Sequence, residues 1–514
     1  MKMLCTVWCA IFVLASTACA GTAPPRTGTV VVERTIAVAE DGTHVPYEIG
    51  TLWVPEHRGV PGSRIIGVGF ARIRARTPSG APPVFWLPGG PGLVVLDAFH
   101  DQTAAARGRL RAWLSYGATA DLVVVEQRGY TLRGERLEAT RPPLPLAQPR
   151  TEQADAEAAI ALAHQAVRDH PGKDLAGYTI RACAEDVEDV RKALGYDRIT
   201  LFGGSFGAQW SLAVMRTHPD TVARAVLSAV EPLDFGYDMP SALLATLQRI
   251  ALEADRAPAL RPYLPPGGLM AAAAAVRDRL ARQPVTVTVP ASTRATGIIV
   301  LGLEDFQDSL LERAAQPATW PAFVLALYHG HYEDWAQDVA RERQAETVKL
   351  IGPLIDTSLG ITPQRLRQLR SDPAAAWIGR SGFAPYLAAA DAWPTPDMGD
   401  VFRTMTPSPI PVLLVHGDWD TSTPVDNTLA QLPYFPNGHA IIMHRGGHDG
   451  TFYLLREQPA LKDAVYRFLR TGRMEDLPTE VTLPAPDFTP PGFAAPARQE
   501  QKIKNPPKRV PVDT

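Results

Sequence analysis

The sequence has few cysteines and almost no net charge. Three of its four cysteines, Cys5, Cys9 and Cys19, lie within the first 20 of 514 residues, which leaves Cys183 in the body of the chain. A disulfide framework is therefore excluded, and stability must come from a packed core. Lys and Arg total 51 against 54 for Asp and Glu, giving a formal net charge of −3. This balance provides no broad positive field for a polyanion, so we expect no nucleic-acid partner.

Motifs for nucleotides and metal ions are also missing from the sequence. No G-x-G-x-x-G follows a strand-like segment and no G-x-x-x-x-G-K-[ST] occurs, so neither a dinucleotide site nor a P-loop is expected. His329 and His331 are close in sequence, but they lie in an aromatic, helix-like segment and are interpreted as structural residues rather than metal ligands. We therefore expect neither a metal nor an organic cofactor.

The first 20 residues have the layout of a secretory signal peptide. Lys2 precedes an apolar run over residues 7–15, and small residues follow it. The run is too short and too weakly flanked for a retained transmembrane helix, so we expect an exported protein, secreted or held in the periplasm or cell envelope. Two processing patterns stay open. Residues 18–20 have the A-x-A form, whereas residues 16–19 resemble a bacterial lipobox with Ser where Leu is usual, which would place a lipid anchor on Cys19.

Strand-like and helix-like segments alternate in an order typical of a parallel sheet with helical crossovers. Hydrophobic residues make up 46% of the chain, enough for a sizeable core. Apolar and polar residues alternate at first, as in antiparallel edge strands, and continuous apolar segments then predict strands buried on both faces. An Ala-rich helical segment later interrupts the alternation of strand and helix. The predicted division is a signal peptide over 1–20, an α/β core over 29–231, a helical cap over 232–409, a second core segment over 410–475 and a Pro-rich, partly disordered tail over 476–514.

Residues 203–207 form a candidate nucleophile elbow. Their sequence, Gly-Gly-Ser-Phe-Gly, matches G-x-S-x-G, a strand-like segment precedes it and a helix-like segment follows. Such a turn exposes the Ser205 hydroxyl at a helix N-terminus, where backbone N–H groups stabilise an oxyanion. We predict Ser205 as the nucleophile. The predicted oxyanion donors are the backbone amides of Phe206 and of Gly90, which lies in a glycine-rich segment after an earlier strand.

A serine nucleophile needs a general base and an acid that orients it. Asp420 follows the strand-like segment PVLLVHG, and His448 follows HAIIMH. The resulting order of nucleophile, acid and histidine is that of the α/β-hydrolases, and the interval between Asp420 and His448 leaves room for one helix and one strand. We predict Asp420 as the acid and His448 as the base. The alternatives that the sequence leaves nearby are Asp418, Asp426, His416, His439 and His444.

Five segments together make this sequence similar to one family of serine peptidases. LPGGPG, EQRG, GGSFG, GDWDTSTP and GGHDG resemble the motifs of the proline iminopeptidase and tripeptidyl aminopeptidase family of α/β-hydrolases, over residues 30–471. The sequence departs from the family pattern at Pro88, where the iminopeptidases have His, at Glu126 in place of Asp, and at Asp449 in place of Gly. The first departure favours the tripeptidyl side of the family.

The resemblance implies an enzyme that removes one or a few residues from the free N-terminus of a peptide. In this family, carboxylates near the start of the cap bind the ammonium group of the substrate. Glu231 is the best positional match, with Asp234 and Asp238 as weaker candidates; the alternative for each is a solvated or helix-capping carboxylate. Glu126 and Arg128 are expected to brace the loop beside the site.

The sequence therefore predicts an α/β-hydrolase fold with an inserted helical cap, and an exported serine hydrolase of the aminopeptidase type. Its expected partner is a peptide with a free N-terminus, and a membrane only through a lipid on Cys19. Two other functions stay open. A carboxylic-ester hydrolase would use the same triad, because fold and triad do not determine the leaving group. A non-catalytic binding protein on a hydrolase scaffold would have no use for the triad.

Overall fold

The computed structural model of the chain describes residues 25–496, apart from residues 102, 117–119, 235, 290–296 and 449–457. The predicted signal peptide with Cys19, the end of the predicted tail and Asp449 lie outside the described residues. None of the helices that the structure describes combines the length and the apolar character needed to cross a membrane.

A mixed sheet of ten strands forms the centre of the part of the chain that the structure describes. The structure describes fourteen strands, of which β6 pairs with β11 and β9 with β10 in two small separate sheets: β1 (Val30–Val38), β2 (His44–Pro55), β3 (Ile65–Ile73), β4 (Val84–Leu87), β5 (Leu122–Val125), β6 (Glu138–Arg141), β7 (Ile199–Ser205), β8 (Val222–Val230), β9 (Val285–Val289), β10 (Gly297–Leu301), β11 (Glu346–Lys349), β12 (Val412–Gly417), β13 (Gly438–His444) and β14 (Glu480–Thr482). Across the sheet their order is β1-β2-β3-β5-β4-β7-β8-β12-β13-β14. Pairing is antiparallel from β1 to β5 and parallel from β5 to β14. The predicted sheet, antiparallel at one edge and parallel elsewhere, is confirmed.

Helices cover both faces of this sheet, which is why β4, β5 and β12 are apolar and buried along their whole length. The described helices are α1 (Ala104–Tyr116), α2 (Glu152–Asp169), α3 (Ile180–Ala193), α4 (Phe206–Thr217), α5 (Pro240–Ala254), α6 (Gly268–Arg282), α7 (Leu303–Ala314), α8 (Trp320–Tyr328), α9 (Glu333–Glu342), α10 (Ile351–Leu359), α11 (Pro363–Ser371), α12 (Ala375–Ile378), α13 (Ala384–Ala389), α14 (Asp400–Arg403), α15 (Val425–Gln431) and α16 (Pro459–Thr471). One face of the sheet packs against α3, α4 and α10, and the other against α1 and α16.

The insertion between β8 and β12 packs as two parts rather than as one cap. Helices α5 to α9 and the hairpin β9-β10, which are called the cap below, enclose their own apolar core, which includes Leu247, Trp320 and Trp335. Helix α10 instead joins the core of the main sheet, since Ile351 and Ile355 lie in the same apolar cluster as α4. The sequence predicts helices in this region, but it does not indicate which apolar surface each helix will cover.

The segment after residue 476 packs against both parts of the molecule. Strand β14 extends the sheet beside β13. Further along, Phe488 lies in the core of the cap, and the Phe493 ring stacks on His331 with ring centroids 4.0 Å apart. The tail therefore ties the edge of the sheet to the cap. Its Pro-rich composition did not predict this, because an extended segment that buries isolated side chains has no periodicity to detect.

We expect Phe488→Ala to destabilise the cap. Only 9% of the Phe488 side chain is exposed, and truncating a buried Phe typically lowers the free energy of unfolding by about 3 kcal/mol. Urea denaturation followed by tryptophan fluorescence measures the change. Val401→Ala is the control, because Val401 is 83% exposed and buries little apolar surface. Equal denaturation midpoints for the two variants would contradict a structural role of the tail.

Candidate active site

Ser205 lies at the sharp turn between β7 and α4. Its φ of 57° and ψ of −132° place a non-glycine residue in a sparsely populated backbone region, as strained functional turns require. Two glycines make the turn possible. A Cβ on Gly203 would overlap the carbonyl oxygen of Gly207, and a Cβ on Gly207 would overlap the carbonyl oxygen of Leu87. The strand and the helix can therefore approach closely only because both positions are glycine.

Asp420 and His448 lie in neighbouring loops and are within hydrogen-bond distance of each other. His448 Nδ1 lies 2.8 Å from Asp420 Oδ2 and 3.0 Å from Oδ1. When Nδ1 carries the proton it donates to this carboxylate, and Nε2 is then the nitrogen that can act as a base. Ser205 ends β7, and Asp420 and His448 lie in the loops after β12 and β13, so all three lie at the carboxyl-end edge of the parallel strands. Their roles as nucleophile, acid and base stay predictions.

Hydrogen bonds hold the Asp420 carboxylate in its ionised form. Besides His448, it accepts hydrogen bonds from the backbone amides of Ser422 and Thr423, at 2.8 and 2.9 Å, and from the Thr423 hydroxyl at 2.8 Å. Burial raises the pKa of Asp420, but the hydrogen bonds and charges of His416 and His448 outweigh burial and hold this pKa well below its ordinary value. A permanently ionised acid is what the histidine needs for orientation and for stabilisation of the imidazolium.

The alternative acids and histidines have other partners or positions. Asp418 binds His444, with Oδ2 2.9 Å from Nδ1. His416 is buried and packs between Thr423 and Thr428, and His439 lies 2.8 Å from the Pro478 carbonyl. Asp426 is exposed in the first turn of α15.

The glycine-rich loop after β4 contacts the nucleophile at Gly89. A Cβ added to Gly89 would lie 3.4 Å from Ser205 Cβ, so the backbone passes directly beside the serine. The predicted donor, Gly90, is the next residue and adopts a φ of 118°. Its role and that of the Phe206 amide, which opens α4, stay predictions.

Gln127 braces this loop, and the sequence analysis did not identify it. Its Oε1 accepts a hydrogen bond from the Gly92 amide at 2.6 Å, and its Nε2 donates to the Gly89 carbonyl at 3.4 Å. Lys349 Nζ donates to the Gly92 carbonyl at 2.8 Å from the opposite side. Gln127 stands between Glu126 and Arg128 in EQRG, so that segment was the available signal.

Glu126 and Arg128 have structural contacts of two different kinds. Glu126 Oε1 accepts hydrogen bonds from the amides of Val95 and Leu96 at 2.6 and 2.8 Å, which confirms that it braces the loop. Arg128 instead forms a bidentate pair with Asp186 on α3, at 2.6 and 2.8 Å. It therefore connects the loop after β5 to a helix behind the sheet.

Three half-buried carboxylates, Glu231, Asp238 and Asp356, form an acidic cluster beside the candidate triad. Burial raises the pKa of Glu231 well above its ordinary value, and the charges of Asp356, Asp238 and Asp420 raise it further. Burial likewise raises the pKa of Asp238 to about 7 and that of Asp356 to about 7. The strand register explains the position of Glu231, because Ser205 pairs with Val230 across β7 and β8, and Glu231 is the next residue.

The cluster differs from the carboxylates that the sequence suggested. Asp234 binds Thr362, the N-cap residue of α11, since its two oxygens accept hydrogen bonds from the Thr362 amide and hydroxyl, both at 2.7 Å. The third member is instead Asp356 on α10, more than a hundred residues further along the chain. Its only signal in the sequence is an acidic residue within the otherwise apolar segment IGPLIDTSL. A pattern of this kind does not show what the helix faces.

The histidines of the HGH segment have structural partners. His329 Nε2 lies 2.8 Å from the Tyr263 carbonyl, and His331 stacks on Phe493. Within the described residues, no group of three or more His, Cys, Asp or Glu side chains is arranged to hold a metal ion. Cys183 is fully buried in α3, and burial raises the pKa of its thiol to about 12.

Comparison with protein-family models gives two matches. Residues 82–261 match the model described as alpha/beta hydrolase fold, and residues 380–481 match the model described as TAP-like protein. The first range contains Ser205 and Glu231, and the second contains Asp420 and His448. Together with the sheet, these matches confirm the predicted α/β-hydrolase fold and show a hydrolase with a TAP-like C-terminal segment.

The chain is also similar to solved structures of low sequence identity. A thermophilic esterase from Thermogutta terrifontis is 16% identical with a TM-score of 0.33, and the match covers 82% of this chain and 98% of that chain. An epoxide hydrolase from an endophytic Streptomyces is 16% identical with a TM-score of 0.34, covering 84% and 97%. A 2-hydroxy-6-oxo-6-phenylhexa-2,4-dienoate hydrolase from Rhodococcus is 12% identical with a TM-score of 0.33, covering 86% and 100%. A comparison with curated protein sequences gives no match.

We expect Asp420→Asn to lower kcat by roughly 10³- to 10⁴-fold, because an amide stabilises neither the required histidine tautomer nor the imidazolium. Hydrolysis of 4-nitrophenyl acetate measures the loss without assuming a peptide substrate. Asp418→Asn is the matched control, since Asp418 binds the other nearby histidine, His444. A larger loss in the control than in Asp420→Asn would assign the acid to Asp418.

The raised pKa of Asp356 also predicts a pH dependence of stability. Between its ordinary value of 3.8 and about 7, folded Asp356 holds a proton that the unfolded chain releases. The free energy of unfolding therefore falls as the pH rises through this window. Asp356→Asn should remove this loss, so the variant should melt a few degrees above the wild-type protein at pH 8 and close to it at pH 4.

Thermal denaturation at the two pH values measures this effect. Asp426→Asn is the control, because Asp426 is an exposed carboxylate. A difference between Asp356→Asn and wild type that is the same at pH 4 and pH 8 would contradict the buried, proton-binding environment of Asp356.

Proposed function

We propose that this hydrolase is a serine aminopeptidase that releases one or a few residues from the free N-terminus of a peptide. The observation that carries the proposal is the acidic cluster of Glu231, Asp238 and Asp356 beside Ser205. The charges that act most strongly on Glu231 are all negative. The TAP-like match and the motif resemblance to the tripeptidyl aminopeptidase family also support this function.

A substrate ammonium group would relieve the unfavourable electrostatics of this cluster. Like charges in a poorly solvated site disfavour ionisation, and a cation placed among them favours it. The N-terminal amine of a peptide is protonated near neutral pH and can donate three hydrogen bonds to carboxylate oxygens. Arg365 offsets part of the charge on Asp238, and Asn427 Nδ2 donates to Asp238 Oδ1 at 2.8 Å. Glu231 and Asp356 are therefore the principal candidates for binding the ammonium.

The position of Glu231 limits where cleavage can occur. Adjacent strands lie about 4.8 Å apart, so the residue after Val230 is close to the nucleophile that pairs with Val230. An N-terminus held by Glu231 therefore places one of the first peptide bonds near Ser205. An N-acylated peptide would lack the cation and leave the carboxylates unpaired, so it should be a poor substrate.

The proposed reaction follows the acyl-enzyme route of serine hydrolases. His448 removes the proton from the Ser205 hydroxyl as the serine oxygen attacks the scissile carbonyl carbon. Backbone amides of Phe206 and Gly90 would stabilise the negative oxygen of the tetrahedral intermediate. Collapse breaks the C–N bond, and His448 gives its proton to the leaving amine. Water, deprotonated by His448, then releases the acyl group and restores Ser205.

Glu231→Gln separates the proposed aminopeptidase from an esterase that uses the same triad. Replacing the charge by a neutral amide of similar shape should lower kcat/KM for anilides with free N-termini by roughly 10- to 100-fold. Hydrolysis of a short-chain ester should change by less than about threefold, because that substrate has no ammonium to bind. Both activities are measured on the same preparations of wild type and variant.

Two control series make the result decisive. Anilides that differ only in an N-acetyl group test whether wild-type activity depends on the free amine. Asp234→Asn tests the effect of losing a nearby carboxylate that binds the N-cap residue of α11. Ester turnover by wild type, without cleavage of any free anilide, would contradict the peptidase and leave an esterase. Equal losses on anilide and ester in Glu231→Gln would contradict ammonium binding.

A further inference from the structure

Tyr386 lines an open cleft and lies near the acidic cluster. It belongs to α13, and 42% of the residue is exposed although Pro385 and Ala389 of that helix are buried. Its ring lies 6.0 Å from the ring of Tyr237, at an angle of 32° between the ring planes. Tyr237 immediately precedes Asp238, so the ring contact connects α13 to the segment that carries two carboxylates of the cluster.

The Tyr237 side of this contact is firmly packed. Tyr237 is only 5% exposed and shares an apolar cluster with Leu369 and Phe383. Its backbone carbonyl also accepts a hydrogen bond from the Arg365 guanidinium at 3.3 Å. Tyr386 thus rests against a fixed surface on one side, and its exposed surface faces the cleft.

The cleft lies between α2 and the cap and has a volume of about 770 Å³. Ligand sites in proteins typically have volumes of about 300–1,000 Å³, so several residues of an extended peptide would fit. Arg150, Asp155, Arg343 and Pro385 line it together with Tyr386. Helix α13 packs against α2, which lines this space, and against α10, which carries Asp356, so Tyr386 lies between the cleft and the acidic cluster.

We propose that Tyr386 is a specificity-determining residue, whose ring closes the far side of the acidic cluster and limits how many residues N-terminal to the scissile bond can be bound. This inference rests on the proposed aminopeptidase function. Each further residue of an extended peptide needs about 3.4 Å of additional length, and the aromatic ring occupies the space that the next residue would need. Without the ring, the N-terminal segment of the substrate would extend into the cleft.

The electrostatics of the two tyrosines agree with this placement. Although part of the residue is exposed, burial around its hydroxyl raises the pKa of Tyr386, and the negative charge of Asp356 raises it further. The same two causes, burial first and then Asp356, raise the pKa of Tyr237. Both tyrosines therefore lie close enough to the cluster for the charge of Asp356 to affect the pKa of their hydroxyls, as residues that line the proposed ammonium site must.

A ladder of coumarin amides with free N-termini, one to six residues long, tests the role of Tyr386. For wild type, kcat/KM should fall beyond a limiting length. Tyr386→Ala should move this limit to longer peptides and raise kcat/KM for the first excluded length at least tenfold. Tyr386→Phe keeps the ring and should leave the limit unchanged. Tyr386→Trp enlarges the ring and should reduce the limiting peptide length. This variant provides a second test if the alanine variant folds poorly.

Arg341→Ala is the matched control, since it removes another large side chain from the same cleft on the cap side. It should leave the limiting length unchanged. An unchanged limit in folded Tyr386→Ala, or an equal gain at every length, would overturn the role of Tyr386 while the aminopeptidase stands. Wild-type protein that hydrolyses a simple ester but none of the amides would overturn the proposed function and this inference with it.

Discussion

Parallel pairing of β7, β8, β12 and β13 is the constraint on which the site depends. The carboxyl ends of parallel strands meet at one edge of a sheet, and each of these ends carries one part of the site. Ser205 ends β7, Glu231 follows β8, Asp420 follows β12 and His448 follows β13. Since helices bury both faces of the sheet, the strand ends are held in a fixed register, and residues far apart in sequence are brought together at one edge.

Carboxyl groups have opposite electrostatic surroundings at two places in this site. Asp420 accepts several hydrogen bonds and stays ionised in spite of its burial. Glu231 and Asp356 are raised in pKa by burial, and Glu231 also by its acidic neighbours. The first environment suits an acid that orients a histidine throughout the reaction. The second is unfavourable without a cation, so under the proposed function binding energy would favour substrates that carry one.

The sequence predicted those parts of the site that depend on local chain geometry. Gly203 and Gly207 are required by backbone contacts within a single turn, and Asp420 and His448 follow strands whose apolar patterns are clear. Residues contributed by distant packing were missed. Asp356 reaches the cluster only because α10 packs on the main sheet. Periodicity shows that a helix has an apolar face, but the partner of that face is decided by tertiary structure.

Tyr386 and Gln127 were missed for related reasons. The six-residue helix that carries Tyr386 is too short to show a periodic pattern, and the role of the tyrosine follows from its contact with Tyr237, almost 150 residues earlier. Gln127 lies in a motif for which the sequence analysis predicted a bracing role only for the two charged residues, Glu126 and Arg128. Its function comes from an amide that offers both a donor and an acceptor, which matches the Gly89 carbonyl and the Gly92 amide.

The cap and the catalytic loops are joined closely enough to act as one unit. Trp419, the residue before Asp420, is 3% exposed and lies in the apolar core of the cap. Helix α5 binds the same loop through Arg249, whose Nη1 donates to the Asp418 carbonyl at 3.3 Å, and binds the histidine loop through Glu253 and Arg445, 3.2 Å apart. Lifting the cap would pull Trp419 out of its core and displace Asp420 from His448.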